Sequence, residues 1–265
     1  MDPASQRNRA LWDAWARIHY ASAFYDVPAF LAGGNTLNRL EVAELGDVAG
    51  RSLLHLQCHF GLDTLSWARL GARVTGVDFS PDAIARARDL AERSGLPARF
   101  VESDIYELAR HDLGTFERVF TSYGVLSWLP DLERWGNVVA DHLRPGGAFH
   151  MVEFHPIVFM LDDDGERVRW PYLATGEPIP MAVEGSYAAP DAEVTGTSFE
   201  WSHGVGEVVT ALLEAGLRLE WLREHPRSPY DVLPYLERRP EGDFGVRGGG
   251  DGLPLLFSLK AVKPG

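Results

Sequence analysis

Short apolar runs and amphipathic stretches alternate through the middle of the chain. Five apolar runs predict strands, at residues 53–56, 74–77, 99–101, 118–121 and 148–153. The stretches between them have helical spacing and predict helices at 62–70, 81–93 and 132–143. Strands that alternate with helices in this way are typical of a parallel sheet that is covered on both faces.

The flanking regions have a less regular pattern. Apolar side chains recur at helical spacing over residues 5–20, which predicts an amphipathic helix, and a shorter helix is predicted over 36–45. Near the carboxyl terminus the pattern predicts a helix and two strands, at 205–215, 217–222 and 255–262. Residues 155–200 show little periodicity and are rich in Pro, Gly and acidic residues. A loop of this length within a compact domain is usually functional or disordered.

Composition limits the class of protein and its partners. A chain of 265 residues with 45% hydrophobic content suits one large α/β domain, or a domain with an insertion. The net charge of −13 opposes nucleic-acid binding, because phosphates are neutralised by Lys and Arg. No apolar run is long enough to span a membrane, and the first residues are interrupted by charges. We therefore expect a cytoplasmic protein with neither nucleic acid nor membrane as a partner.

The chain has one cysteine, Cys58. An intrachain disulfide and a zinc site built from several thiolates are thereby excluded. We expect Cys58 to be a small buried apolar residue rather than a nucleophile.

An acidic residue, Asp78, ends the second predicted strand, 21 positions after Gln57. At this spacing an acidic side chain typically accepts hydrogen bonds from ribose hydroxyls in nucleotide-binding βαβ units. The turn after the first strand reads Q-C-H-F-G-L, with Gly61 as its only glycine. A pyrophosphate needs several glycines there, so that the backbone can approach it closely. The pattern thus favours a cofactor that contains ribose and lacks phosphate.

Five motifs in this order resemble those of the class I S-adenosylmethionine-dependent methyltransferases. They are LLHLQCHFGLD, GARVTGVDFSPDAIARAR, VESDIYEL, FERVFTSYGVLSWLPD and LRPGGAFHMVEFHP. The resemblance covers residues 50–155 strongly and the last two strands more weakly. It implies a Rossmann-like, doubly wound, mostly parallel seven-stranded sheet with an antiparallel last strand. It also implies four parts: a helical lid at 1–48, a cofactor-binding core at 49–155, a substrate-pocket insertion at 156–202 and the rest of the sheet at 203–265.

The resemblance also implies the cofactor, S-adenosylmethionine, and the residues that hold it. In the family the acid matching Asp78 binds ribose, and Phe79 and Ser80 would flank the adenosine. The positions of Asp104 and Ile105 are those that contact the adenine ring.

Other residues are expected at the methionine end of the cofactor. The altered first motif contributes Gln57, His59 and Gly61, of which Gly61 alone matches the family's glycines. We also hypothesise that Tyr20 or Tyr25 contacts this end. Ser122 and Tyr123 match the fourth motif, which lies beside the transferable methyl group.

Two histidines are candidate general bases. His155 directly follows the fifth strand, and an ordinary histidine pKa near 6.5 suits proton transfer from a hydroxyl or an ammonium. His203 precedes a predicted helix after the insertion. Each has a structural alternative, a loop-entry hydrogen bond for His155 and a helix cap for His203. No metal site is expected, since the acidic run 162–164 is typical of a solvated turn.

These features predict a methyltransferase that acts on a small molecule by O- or N-methylation. One alternative is a methyltransferase for tRNA or protein. Another is a non-catalytic protein that binds S-adenosylmethionine and regulates a partner, because a fold alone does not determine function. The sequence specifies neither the methyl acceptor nor the oligomeric state.

Overall fold

A seven-stranded sheet forms the centre of the structure, which is a computed structural model that describes residues 1–162, 164, 166–248 and 252–265. Its strands are β1 (Ser52–Leu56), β2 (Arg73–Asp78), β3 (Ala98–Glu102), β4 (Phe116–Ser122), β5 (Leu143–Phe154), β8 (Arg218–His225) and β11 (Leu256–Val262). The strand order is β3-β2-β1-β4-β5-β11-β8. Strands β1 to β5 are parallel, and β11 is antiparallel to both of its neighbours. The predicted sheet, with its antiparallel last strand, is confirmed.

Seven α-helices accompany the sheet in the described part of the chain. They are α1 (Pro3–Ala21), α2 (Val27–Leu31), α3 (Arg39–Leu45), α4 (Leu62–Arg69), α5 (Pro81–Ser94), α6 (Leu132–His142) and α7 (Val205–Glu214). Helix α3 begins later than the predicted start at residue 36, because the Glu41 carboxylate caps it by accepting the Asn38 N–H at 2.7 Å. None of the described helices combines the length and the hydropathy needed to cross a membrane.

Buried apolar side chains cover both faces of the sheet. Trp135 on α6 and Phe149 on β5 belong to one cluster, and Ile84 on α5 and Phe100 on β3 belong to another. Helices α6 and α7 approach closely at Gly136, where a Cβ atom would lie 2.5 Å from the Ala211 carbonyl oxygen. Both sides of the sheet are thus covered, as parallel sheets require.

The insertion after β5 contains structure that the sequence pattern did not reveal. Strands β6 (Ile179–Glu184) and β7 (Thr195–Glu200) pair as an antiparallel hairpin, and β9 (Leu236–Arg238) pairs with β10 (Phe244–Val246). In β6 the exposed positions include Pro180 and Ala182, and β7 begins with three exposed residues, so neither strand shows an alternation of apolar and polar residues in the sequence. Asp163 of the acidic run, together with residues 249–251 of the predicted glycine-rich loop, lies outside the described residues.

Helix α1 lies across the carboxyl ends of β2 and β3. Arg9 forms an ion pair with Glu102 at 2.8 Å, and Asp13 accepts a hydrogen bond from the Ser80 hydroxyl at 2.5 Å. The Asn8 amide exchanges two hydrogen bonds with the Phe199 backbone on β7. The helix thereby joins the sheet edge to the insertion.

Candidate functional site

The turn between β1 and α4 adopts a left-handed backbone at two residues that are not glycine. Gln57 has a φ of 56° and His59 a φ of 51°, and Gly61 follows at 81°. The left-handed conformation costs a residue with a Cβ atom roughly 1–2 kcal/mol. At Gly61 a Cβ would also lie 2.7 Å from the Phe100 ring. The turn therefore keeps a glycine-type conformation, and such strain is typical of functional sites.

Asp78 stands next to this turn at the end of β2. Its side chain is buried, and its two oxygens accept the His59 N–H at 2.8 Å and the Ser80 N–H at 2.9 Å. Burial raises the pKa of Asp78 to about 6. Each carboxylate oxygen has two acceptor positions, so these two bonds leave capacity for hydroxyl donors.

Gln57 has a polar atom without a partner at the same place. Its amide nitrogen donates to the Val125 carbonyl oxygen at 3.1 Å, but the buried Oε1 has no hydrogen-bond partner in the described structure. A buried acceptor without a donor destabilises a protein by about 1–3 kcal/mol. Such an atom usually accepts a hydrogen bond from an ordered water or a ligand.

Aromatic rings of α1 cover the turn. The Trp12 ring lies edge-on to His59 and to Trp128, with both ring centroids 5.2 Å away. Trp15 packs on Trp12 at 5.1 Å and donates a hydrogen bond to the Gly185 carbonyl oxygen. The two α1 tryptophans thus dock this helix on the turn and on the insertion.

The remaining residues predicted at strand ends occupy the same carboxyl edge. Asp104 caps a 3-10 helix by accepting the Tyr106 N–H at 3.0 Å, and Ile105 is buried in the core. Tyr123 follows Ser122 with a φ of 37° and donates its hydroxyl to Glu41 at 2.8 Å.

The side chains of Glu41 and Tyr123 both have raised pKa values. Burial raises the pKa of Glu41 to about 7 and that of Tyr123 well above its ordinary value. The Tyr123 phenol is therefore held neutral beside this carboxyl group.

The two tyrosines proposed at the methionine end are in different places. The Tyr25 ring packs against His59 and Phe60, with centroid distances of 5.6 Å and 4.8 Å. Tyr20 instead donates its hydroxyl to Asp89 at 2.8 Å, on the outer side of α5. The structure thus brings the Tyr25 ring to His59 in the turn, whereas the Tyr20 ring contacts only Phe60 of this turn, at 5.7 Å, among the described ring contacts.

The two candidate bases also differ. Both ring nitrogens of His155 are engaged, Nε2 with Glu224 at 2.9 Å and Nδ1 as the acceptor of the Ile157 N–H at 3.3 Å. His203 donates from Nε2 to the Leu129 carbonyl oxygen at 2.7 Å, and its Nδ1 lies 3.2 Å from the Glu207 carboxylate. His203 lines a cavity, whereas His155 is not among the described residues that line it. The structure places His155 in the loop-entry position that was its structural alternative.

This cavity of about 360 Å³ lies beside Gly124, between the ends of β4 and β5 and the insertion. Its lining is mainly apolar and aromatic, with a few acidic groups. The lining includes aromatic, acidic and histidine side chains, among them Phe154, Phe159, Trp170, Tyr172, Trp201, Glu153, Asp162, Glu200 and His203. A mostly apolar cavity with a few convergent polar groups is typical of a small-molecule site.

Glu153, at the end of β5, is a residue that the sequence analysis missed. Its carboxylate accepts the backbone N–H groups of Gly124, Val125 and Leu126, and so fixes the turn after β4. It is buried, and burial raises its pKa. An acidic residue at the end of an otherwise apolar strand was the signal that could have identified it.

Part of the chain is similar in sequence to known methyltransferases. Residues 53–147 match a family model described as a methyltransferase domain. The ubiquinone biosynthesis O-methyltransferase of Xanthomonas euvesicatoria pv. vesicatoria is 34% identical over 105 residues, which cover 40% of this chain and 44% of that protein. The chain thus spans less than half the length of this curated relative.

Solved structures resemble the chain over a greater length. A putative S-adenosylmethionine-dependent methyltransferase from Listeria monocytogenes has a TM-score of 0.61 at 17% identity, over 85% of this chain and 97% of that one. A glycopeptide N-methyltransferase, MtfA, complexed with sinefungin has a TM-score of 0.55 at 19% identity, over 86% and 85% of the two chains. Residues 53–147 are therefore similar to a methyltransferase domain, and the chain has the same fold as these S-adenosylmethionine-dependent methyltransferase structures.

Proposed function

We propose that the protein transfers a methyl group from S-adenosylmethionine to the oxygen or nitrogen of a small molecule. One observation carries the proposal: the buried Asp78 carboxylate and the left-handed turn meet where strand order reverses between β1 and β4. Ligands of open α/β sheets bind at this reversal point. The apolar cavity begins at Gly124, directly after β4.

The residues present suit this cofactor. Ribose hydroxyls can donate to Asp78, and the ammonium of the methionine part can donate to the unpartnered Oε1 of Gln57. A glycine-poor turn beside a buried carboxylate opposes a pyrophosphate but accepts an uncharged nucleoside with a cationic end. The bound cofactor would supply an electrophilic methyl group on a sulfonium.

The chain's own residues would then orient the acceptor and keep water out. Methyl transfer depends mainly on proximity and alignment, which a cavity with fixed walls supplies. Glu153 holds the turn after β4, so that Gly124 forms a defined wall. His203 remains a candidate base because it lines the cavity, whereas His155 is not among the described lining residues.

Calorimetric titration with S-adenosylmethionine tests this proposal. We expect Asp78→Ala to weaken binding about tenfold to a hundredfold, because a hydrogen bond to a charged group contributes about 1.5–3 kcal/mol. Asp78→Asn retains an acceptor and should have an intermediate affinity. Asp82→Ala is the matched control, since this nearby carboxylate pairs with Arg17 on the surface.

Two outcomes would contradict the assignment. Absence of binding by the wild-type protein at high micromolar concentrations of S-adenosylmethionine would refute the proposed enzymatic activity. Equal affinity of the wild type and a folded Asp78→Ala variant would remove the ribose contact. Circular dichroism of each variant establishes that it is folded.

A further inference from the structure

We infer that the methyl acceptor is a cationic amine with an apolar body, held in the cavity between aromatic rings and the Glu200 carboxylate. The inference rests on the proposed function and specifies its substrate class. It follows from the charges, the rings and the position of the cavity.

The charges of the cavity wall are of one sign. Glu153, Asp162 and Glu200 line it, and no Lys or Arg is among the described lining residues. An anionic ligand such as a carboxylate or a phosphate would meet only like charges, which oppose binding. An ammonium would meet charges of opposite sign.

Glu200 is the carboxylate best placed to take a ligand. It lies at the end of β7, where the Ser198 hydroxyl donates to it at 2.9 Å, and burial raises its pKa. In the described part of the chain no basic side chain forms an ion pair with it, whereas Glu153 accepts several backbone N–H groups. Glu200 is partly buried, and carboxylates that are shielded from water are normally paired, so Glu200 is a suitable partner for a cationic ligand.

The aromatic lining supplies a second, independent attraction for a cation. Phe154, Phe159, Trp170, Tyr172 and Trp201 all line the cavity, and the Phe159 side chain is 48% exposed. A cation over an aromatic face gains about 0.5–2 kcal/mol, depending on how far it is desolvated. The same rings bury the apolar body of the ligand.

The Arg169 guanidinium is a cation that lies close to one of these aromatic rings. It lies 4.8 Å from the centre of the Trp170 ring but is not among the residues that line the cavity. It therefore shows that this ring accepts a cation on a face.

The charges of the cavity wall favour nitrogen as the methylated atom. A phenolate acceptor would need a nearby positive group to stabilise its charge, and the described lining offers no Lys or Arg for this. Desolvation in the cavity lowers the pKa of an ammonium, so it can pass one proton to the Glu200 carboxylate. The nitrogen lone pair then forms the N–C bond, the C–S bond breaks with its electron pair going to sulfur, and the methylated ammonium and a neutral thioether result.

Three size-matched probes test the inference without turnover: 2-phenylethylamine, 2-phenylethanol and 3-phenylpropionate. Binding is followed by tryptophan fluorescence, because Trp170 and Trp201 line the cavity. We expect the wild-type protein to bind the amine at least about tenfold more tightly than the alcohol, as one charged hydrogen bond would give, and the carboxylate most weakly. Equal or tighter binding of the alcohol or the carboxylate, or no binding of the amine at millimolar concentration, would overturn the inference.

Glu200→Gln removes the charge while keeping the shape of the side chain. We expect the ratio of amine to alcohol affinity to fall to within about threefold in this variant, since the aromatic rings remain and the Glu153 and Asp162 carboxylates already accept backbone N–H groups. Glu184→Gln is the matched control, because this exposed carboxylate lies on the same hairpin and outside the cavity lining. An unchanged ratio in a folded Glu200→Gln protein would contradict the role of Glu200.

Titration with S-adenosylmethionine on the same preparation separates the two proposals. A protein that prefers the amine but does not bind the cofactor would refute the proposed function and leave the cavity assignment standing. A protein that binds the cofactor but has no preference for the amine would refute only the present inference.

Discussion

At the scale of single residues, the turn after β1 shows how a nucleotide-binding fold accommodates side chains at positions where glycines are usual. Gln57 and His59 take the left-handed conformation despite their Cβ atoms, and Gly61 remains where the Phe100 ring excludes a side chain. The sequence identified this turn and the acid opposite it. It could not indicate the backbone conformation, because left-handed Gln and His are stabilised by tertiary contacts rather than by local preference.

A pair of substitutions at Gln57 measures this strain. Gln57→Gly and Gln57→Val both remove the amide, so their difference in stability reports mainly on the left-handed backbone, which a β-branched residue tolerates poorly. We expect the Val variant to be less stable than the Gly variant by about 1–2 kcal/mol in urea denaturation. At Arg99, an exposed position on β3, the order should reverse, because strands favour Val over Gly. A more stable Val variant at position 57 would mean that the turn is not strained.

At the scale of elements, α1 is held by a buried polar chain that passes through two histidines. His19 lies 3.0 Å from the His59 Nε2 atom and 3.1 Å from the Ser186 hydroxyl. One contact therefore reaches the turn after β1, and the other reaches the insertion. The bond between the two rings needs one donor and one acceptor nitrogen, which two neutral imidazoles supply.

Acid should therefore loosen α1. Burial lowers the pKa of His19 to about 4 and that of His59 well below its usual value. Between about pH 6.5 and 4 the unfolded chain binds more protons than the folded one, so stability falls as the pH falls through this window, by up to about 3 kcal/mol for His19. Amide protection factors, which correct for the slower intrinsic exchange at low pH, should fall more in α1 than in β1 between pH 7.5 and 5.

Histidine substitutions distinguish this mechanism from general acid unfolding. His19→Gln should reduce the pH dependence of stability, whereas His111→Gln, outside the histidine pair, should leave it unchanged. If His19→Gln keeps the full pH dependence, the histidine pair is not its source.

The success of the sequence predictions varied between elements for physical reasons. The parallel strands and the helices between them have strong periodicity and were predicted closely. The hairpin of β6 and β7 was missed because exposed positions of β6 hold Pro180 and Ala182 rather than charged residues, so the alternation in burial is not an alternation in polarity. His155 and Tyr20 were assigned to the site by their position in the chain. Their side-chain directions depend on contacts with Glu224 and Asp89, which the sequence pattern does not indicate.

At the scale of the whole molecule, the sheet, α1 and the insertion enclose one region at the carboxyl edge. Asp78 and Gln57 lie on one side of it, and the cavity with Glu200 begins at Gly124 on the other. Helix α1 covers the ends of β2 and β3 and contacts the turn through Trp12. A cofactor that enters there must displace Trp12 or fit beneath it.

A crystal structure of the protein with S-adenosylhomocysteine tests the central claim most directly. The account predicts that the ribose hydroxyls lie within hydrogen-bond distance of the Asp78 carboxylate and that the sulfur faces Gly124 and the cavity. A ligand bound elsewhere, with Asp78 still bonded only to the His59 and Ser80 backbone and Trp12 filling the space above the turn, would contradict it.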